Sequence, residues 1–330
     1  MFFFTSHSVF GFAARWYRLY LTMNEINKRK DKSESMQNII PHLWFDTEAL
    51  EAVTWYTELF EDSSITDVVT IPDTPSGDAE SVEFKLSGLT MNAISAGPYF
   101  KFNPSISFMV FCPTREEVDK LHRAFMQGGS ELMPLGEYPF SEHYAWVADR
   151  YGLNWQLMYQ PEEVSQKIRP VLLFTSDVCG RTEEALSLYA SIFKESQLKF
   201  VNRYKQGEAP NSKAIINYSE ISLLGTEFIL MDNGYEGDYT FNEAISFMIP
   251  CKDQEEIDYY HNKLSFVPEA EQCGWVKDTF NVSWQIVPEN LGEIYFSGSE
   301  EEIQRVTAAS LQMHKLDIDT LLKAKAGTLQ

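Results

Sequence analysis

The chain has 330 residues, 44% hydrophobic and 23% charged, a composition that supports sizeable buried cores and excludes a disordered protein. That length exceeds the usual size of one core, so two domains are expected. With 27 Lys and Arg against 48 Asp and Glu, the formal charge is −21, which makes nucleic acid and anionic membrane poor partners.

The first residues are aromatic and apolar, but Arg15 and Arg18 interrupt them, so the stretch is too short and broken to span a membrane. Its positive charge follows the apolar part, the reverse of a secretory signal. Residues 1–37 are therefore read as an upstream extension without a fixed fold, with Met1, Met23 and Met36 as alternative starts; a weak anchor is the other reading. The four cysteines, Cys112, Cys179, Cys251 and Cys273, show no metal-type spacing and are read as reduced thiols of a cytoplasmic protein.

From Ile39 the chain alternates between two periodicities. Ile39–Phe45 is a short apolar run expected of a buried strand, and Glu48–Phe60 places Ala49, Val53, Tyr56 and Phe60 on one helical face. Strands are expected near Ser64–Ile71, Ser81–Leu86 and Thr90–Ser95, punctuated by glycine and proline. The order then recurs. Ser105–Phe111 is a strand, Thr114 caps a helix that Gly128-Gly129 stops, and strands follow near Glu131–Leu135, Tyr144–Ala148 and Asn154–Tyr159.

The whole pattern then repeats. Asn103–Phe125 and Asn242–Leu264 share ten of 23 positions. Pro41–Phe45 answers Pro170–Phe174, Glu51–Phe60 answers Glu184–Phe193, and Trp146-x-x-Asp149 with Trp155-Gln156 answers Trp275-x-x-Asp278 with Trp284-Gln285. The expected organisation is two α+β copies, 38–160 and 167–290, and a helical tail, 291–330, in which Ser299 caps one helix and Asp317–Ala324 forms another. The copies differ in one place: His122 to Trp146 is 24 positions, but His261 to Trp275 only 14. The second copy has lost about a hairpin there, so its cavity should be smaller or more open.

Two βαβββ units per half resemble the glyoxalase/bleomycin-resistance/dioxygenase (vicinal oxygen chelate) superfamily. More narrowly, Pro41–Asp46, Trp55-Tyr56 with Phe60, Trp155-Gln156 and Met313–Ile318 resemble its PhnB-like group, labelled 3-demethylubiquinone-9 3-methyltransferase-like. The resemblance implies that each pair of units curls into a half-open barrel around a cavity. In the wider superfamily a divalent metal is bound there through His, Glu or Gln on the first, fourth, fifth and eighth strands. Here the fifth strands offer Ser105 and Ala244, the eighth Gln156 and Gln285, the first His42 opposite Val171, and the fourth Asn92, Ser95 or Asp232.

A catalytic metal needs about three protein ligands of suitable hardness. The set falls short, so no metal and no cofactor are expected; His42, His143 and Gln156 form the weak alternative. The pocket candidates are His42, Trp44, Phe100, Phe102, Ser105, Trp155, Gln156 and Gln285. Trp44 and Phe45 are adjacent on a strand, so only one of them faces a cavity. Neither nucleotide fingerprint occurs, and no glycine-rich strand-to-helix turn suits S-adenosylmethionine, which argues against a methyltransferase. Asp149 and Asp278 read as turn residues rather than catalytic ones.

The expected function is metal-independent binding of a small molecule in a barrel cavity. The alternatives are a metal-dependent lyase, isomerase or dioxygenase using the first half, and a structural module with vestigial pockets. Single-copy relatives are implied by the resemblance to form homodimers, so this chain is expected to be a monomeric pseudo-dimer.

Overall fold

The computed structural model describes residues 39–74 and 77–329; the extension read at 1–37 lies outside them. Four repeats of one unit follow. The first holds β1 (Ile40–Phe45), α1 (Ala49–Leu59), β2 (Ser64–Thr74), β3 (Gly77–Leu86) and β4 (Leu89–Ser95). The second holds β5 (Ile106–Cys112), α2 (Arg115–Phe125), β6 (Ser130–Tyr138), β7 (Ser141–Ala148) and β8 (Asn154–Tyr159). In the second half come β9 (Ile168–Phe174), α3 (Thr182–Ile192), β10 (Gln197–Arg203), β11 (Ile216–Leu223) and β12 (Thr226–Asp232). The fourth unit is short: β13 (Ile245–Cys251), α4 (Gln254–Leu264), β14 (Trp275–Lys277) and β15 (Ser283–Pro288).

Local chemistry sets these boundaries. Thr114 accepts from the Glu117 amide at 3.2 Å and Asp253 from the Glu256 amide at 3.0 Å, capping α2 and α4. Past the end of α2, Gly128 adopts φ +87°, and a Cβ at Gly129 would lie 2.3 Å from the carbonyl oxygens of Phe125 and Ala148. Only glycine fits that approach.

The strands form two open sheets. One runs β14-β15-β13-β1-β4-β3-β2 and the other β10-β11-β12-β9-β5-β8-β7-β6. The α+β class and the paired βαβββ units read from the sequence are present, but the pairing crosses the halves. β1 pairs antiparallel with β13, His42 opposite Ser246, and β9 pairs antiparallel with β5, Val171 opposite Ser107. Each sheet thus takes one unit from each half, where the resemblance implied that the two units of one half curl together into a half-open barrel. The exchange is reciprocal: Asn103 Nδ2 donates to the Thr240 carbonyl at 3.0 Å, and Asn242 Nδ2 donates to the Lys101 carbonyl at 2.9 Å.

Packing ties the units together a second way. The helix-bearing faces of both sheets share one core, in which Tyr56, Trp155, Tyr189 and Trp284 are fully buried. Tyr56 Oη and Trp155 Nε1 donate to Asp149 Oδ2 at 2.7 and 2.9 Å, and the amides of Tyr151 and Leu153 donate to Oδ1. Asp278 repeats the arrangement with Tyr189 and Trp284, at 2.7 and 2.9 Å, and with the amides of Phe280 and Val282. Burial pushes both carboxyls up in pKa, and these donated hydrogen bonds oppose it. Both aspartates are hubs joining the helix of one unit to the last strand of the next.

The tail forms α5 (Leu291–Phe296), α6 (Glu300–Ser310) and α7 (Ile318–Lys325). Ser299 and Glu302 make a capping box at the start of α6, and Asp317 caps α7. The tail lies where the fourth unit has lost its β6 counterpart. The amides of Cys273 and Gly274 donate to the carbonyls of Met313 and His314, both at 2.8 Å. Val306, Leu316 and Leu321 pack with Val287 and Met248 on the face of the seven-stranded sheet turned away from the shared core, and α6 also touches β2 at the far edge. The shortened copy therefore has a tail for a wall, a feature the length comparison could not show.

Candidate functional site

The two sheet faces turned away from the shared core differ. In the eight-stranded sheet Met109, Phe111, Val171 and Ile229 form a cluster of their own, joined by Val164 of the linker. Beside it Arg169, nearly buried, lies 4.7 Å over the Phe111 ring and bridges Glu220 and Glu227 at 3.0 and 2.7 Å. Lys199 also pairs with Glu227. Charges buried this deeply must be matched, and here they are matched by one another. Tyr144 Oη donates to Gln156 Oε1 at 2.6 Å, and Gln156 Nε2 donates to Ser107 Oγ at 2.9 Å. This face is filled by its own side chains.

The equivalent face of the seven-stranded sheet carries a polar row across the strands. His42 lies opposite Asn92 of β4 and Ser246 of β13; beyond them Asn92 faces Glu83, and Ser246 faces Ser283. Gln285 Nε2 donates to Ser246 Oγ at 2.9 Å. His42 is 6% exposed, and its Nδ1 has no hydrogen-bond partner; Ser283 Oγ, also buried, has none either. Such atoms are uncommon because leaving a buried polar group unpaired costs roughly 1–3 kcal/mol. Desolvation lowers the His42 pKa to about 4, so the imidazole is neutral at pH 7.

Aromatic rings stand beside it. The Trp275 ring is 5.8 Å from that of His42 and 6.2 Å from that of Trp44, which also meets Phe100 at 5.1 Å. Trp44 Nε1 donates to the Gly97 carbonyl at 2.8 Å, which fixes the indole. Trp44, Asn92, Met248 and Trp275 remain half-buried, so solvent reaches the face around the buried imidazole.

Of the residues singled out in the sequence, this face gathers His42, Trp44, Phe100 and Gln285. The others go elsewhere. Trp155 is in the helix-side core because alternation along β8 turns it away from Gln156, which belongs to the other sheet. Phe102 packs against Phe45 at 5.1 Å on the core side, which also settles that Trp44, not Phe45, faces the open side. Ser105 is buried just before β5, its amide bonded to Asn103 Oδ1 at 2.8 Å. His143 Nε2 lies 2.7 Å from Asp119 of α2, on the helix side. His42, His143 and Gln156 are therefore divided between sheets and faces, and the structure does not bring them together. Sequence reading missed Ser246; its signal was the shared Ile-Ser-Phe-Met of β5 and β13, whose serines lie two residues beyond the Ser105 and Ala244 positions that were read.

The family described as 3-demethylubiquinone-9 3-methyltransferase matches residues 37–158 and again 166–287. The chain belongs to this family. It carries the family's domain twice. The PhnB protein from Bacillus cereus is 35% identical over 38% of this chain and all of its own length, with a TM-score of 0.36. Protein PA1353 from Pseudomonas aeruginosa is 22% identical over 38% of this chain and 98% of its own, with a TM-score of 0.34. A variant of glyoxalase I from Zea mays is 11% identical over 77% of this chain and 95% of its own, with a TM-score of 0.50, a likeness of fold alone. No curated protein matches.

The resemblance to the wider superfamily implies metal ligands on the first, fourth, fifth and eighth strands. On the open face the first, fourth, fifth and eighth strand positions are His42, Asn92, Ser246 and Gln285. One imidazole, two amides and a hydroxyl give no anionic ligand, and a divalent cation there would lack the charge and donor strength it needs. Among the described residues no group of three or more His, Cys, Asp or Glu is placed to hold a metal. The donor set does not fit a catalytic divalent ion.

Proposed function

We propose that this PhnB-like tandem protein binds a small molecule on the face of its seven-stranded sheet turned away from the shared core, beside the tail, without a required metal. The observation that carries the reading is His42: a neutral, buried imidazole with an unpartnered Nδ1, set beside Trp44 and Trp275 on a face that solvent still reaches. An unpaired atom of this kind is a ready hydrogen-bonding contact for a bound molecule. The other sheet, filled by its own side chains, fits the role of a vestigial pocket. The methyltransferase activity in the family's description is not carried over, since the chain has no glycine-rich turn for the methyl donor.

Elemental analysis of the purified chain, with a thermal-shift screen of divalent cations, tests the absence of a required metal. Less than one-tenth equivalent of metal and shifts within about 1 °C are expected. Stoichiometric metal that His42→Ala releases would overturn the reading.

The crossing of the units also supports a monomeric chain: the partner that a single-copy relative would find in a second molecule is covalently attached here. Light scattering should give the mass of one chain, 38.0 kDa. Twice that mass, stable on dilution, would overturn it.

A further inference from the structure

The charges and rings around His42 bear on what this face accepts, an inference that rests on reading it as a binding site. We propose that its ligand is an uncharged planar molecule with a hydrogen-bonding edge, seated against the Trp44–Trp275 pair with that edge on His42 Nδ1.

An anion has no counter-charge within contact of His42, since Lys85 lies two strands across and two residues along from it. Lys277, at the end of the row opposite Ser283, is held by Glu243 at 2.7 Å. At the other end Glu83 lies opposite Asp67, and Lys85 sits two residues along β3 from Glu83. The chain as a whole carries −21, so its field also repels anions. A buried cation would need a carboxylate in contact with it. Glu83 is two strands from His42, about 10 Å away at the usual strand spacing, and desolvation with the Asp67 charge pushes its carboxyl towards the protonated form. What the face offers is hydrogen bonding without net charge: the imidazole, the amides of Asn92 and Gln285, and the Ser246 and Ser283 hydroxyls. Beside them are aromatic surfaces that reward flat, apolar area.

Benzamide, benzoate and benzamidine share one shape and carry zero, negative and positive charge, so they separate charge from fit. The indole N–H signals of the full chain, followed by NMR during titration, report binding, with Trp44→Phe and Trp275→Phe identifying the two signals. Benzamide should shift both and bind at least tenfold more tightly than either charged probe. His42→Leu should weaken benzamide at least tenfold, and His42→Gln, which restores a hydrogen-bonding edge, should recover most of it. Equal or tighter binding of benzoate or benzamidine at these two indoles overturns the ligand class while leaving the site intact. If no probe shifts the two signals, or His42→Leu in a folded chain binds benzamide unchanged, the site itself is overturned.

Discussion

Replacing Asp149 with alanine will destabilise the protein by about 3–5 kcal/mol, and Asp278→Ala will do the same. Each carboxylate takes four donated hydrogen bonds from a tyrosine, a tryptophan and two backbone amides, and both aromatic side chains are fully buried. Alanine leaves those donors without partners in a core that water does not reach. The cost is a large share of a typical stability of about 5–15 kcal/mol. Asparagine keeps an acceptor but turns an NH2 group towards donors, so Asp149→Asn should lie between alanine and wild type. Urea unfolding followed by near-ultraviolet circular dichroism measures all three. A loss below about 1 kcal/mol would mean that the hub is not what joins the first unit's helix to the second unit's last strand. Because the hubs lie on the helix side, the folded fraction of either variant should retain the indole signals of Trp44 and Trp275.

The second large effect is a dependence on pH that belongs to His42. The folded imidazole resists protonation until about pH 4, whereas the unfolded side chain takes its proton near the ordinary value of 6.5. Between those values the unfolded chain binds more protons, so stability falls as pH drops from 6.5 to 4 and this contribution is exhausted below. The span corresponds to about 3 kcal/mol at 1.36 kcal/mol per unit. Nothing on the adjoining strands compensates an imidazolium: the strand partners of His42 are Asn92 and Ser246, the ring beside it is that of Trp275, and the carboxylates of Glu83 and Asp67 are further along the row. In His42→Gln this part of the acid limb should vanish. The quantity to measure is the stability difference between variant and wild type at pH 7 and at pH 4, which should shift by about 3 kcal/mol in the variant's favour. A difference independent of pH would show that the imidazole is not buried as described.

Much of this was legible in the chain. The duplication follows from ten shared residues in 23, and the helices from caps such as Thr114 and Ser299 and from the spacing of Ala49, Val53, Tyr56 and Phe60. Such signals are local, and local chemistry decides them. Strand alternation also dictates that His42 and Trp44 share a face and that Trp155 and Gln156 cannot.

The sequence could not determine which units share a sheet. β5 and β13 both read Ile-Ser-Phe-Met, so they present nearly the same edge and the same side chains to β1 or to β9. Backbone hydrogen bonds along an edge carry no identity, and an alternating pattern is satisfied by either partner. Only the tertiary structure places β1 against β13. That choice surrounds His42 with Ser246, Gln285 and Trp275 from the other half, and separates it from His143 and Gln156 of its own. The same holds for the tail. Its helices are written in the sequence, but its position beside the shortened copy depends on the apolar surface of Met248 and Val287, which exists only once the sheet has formed.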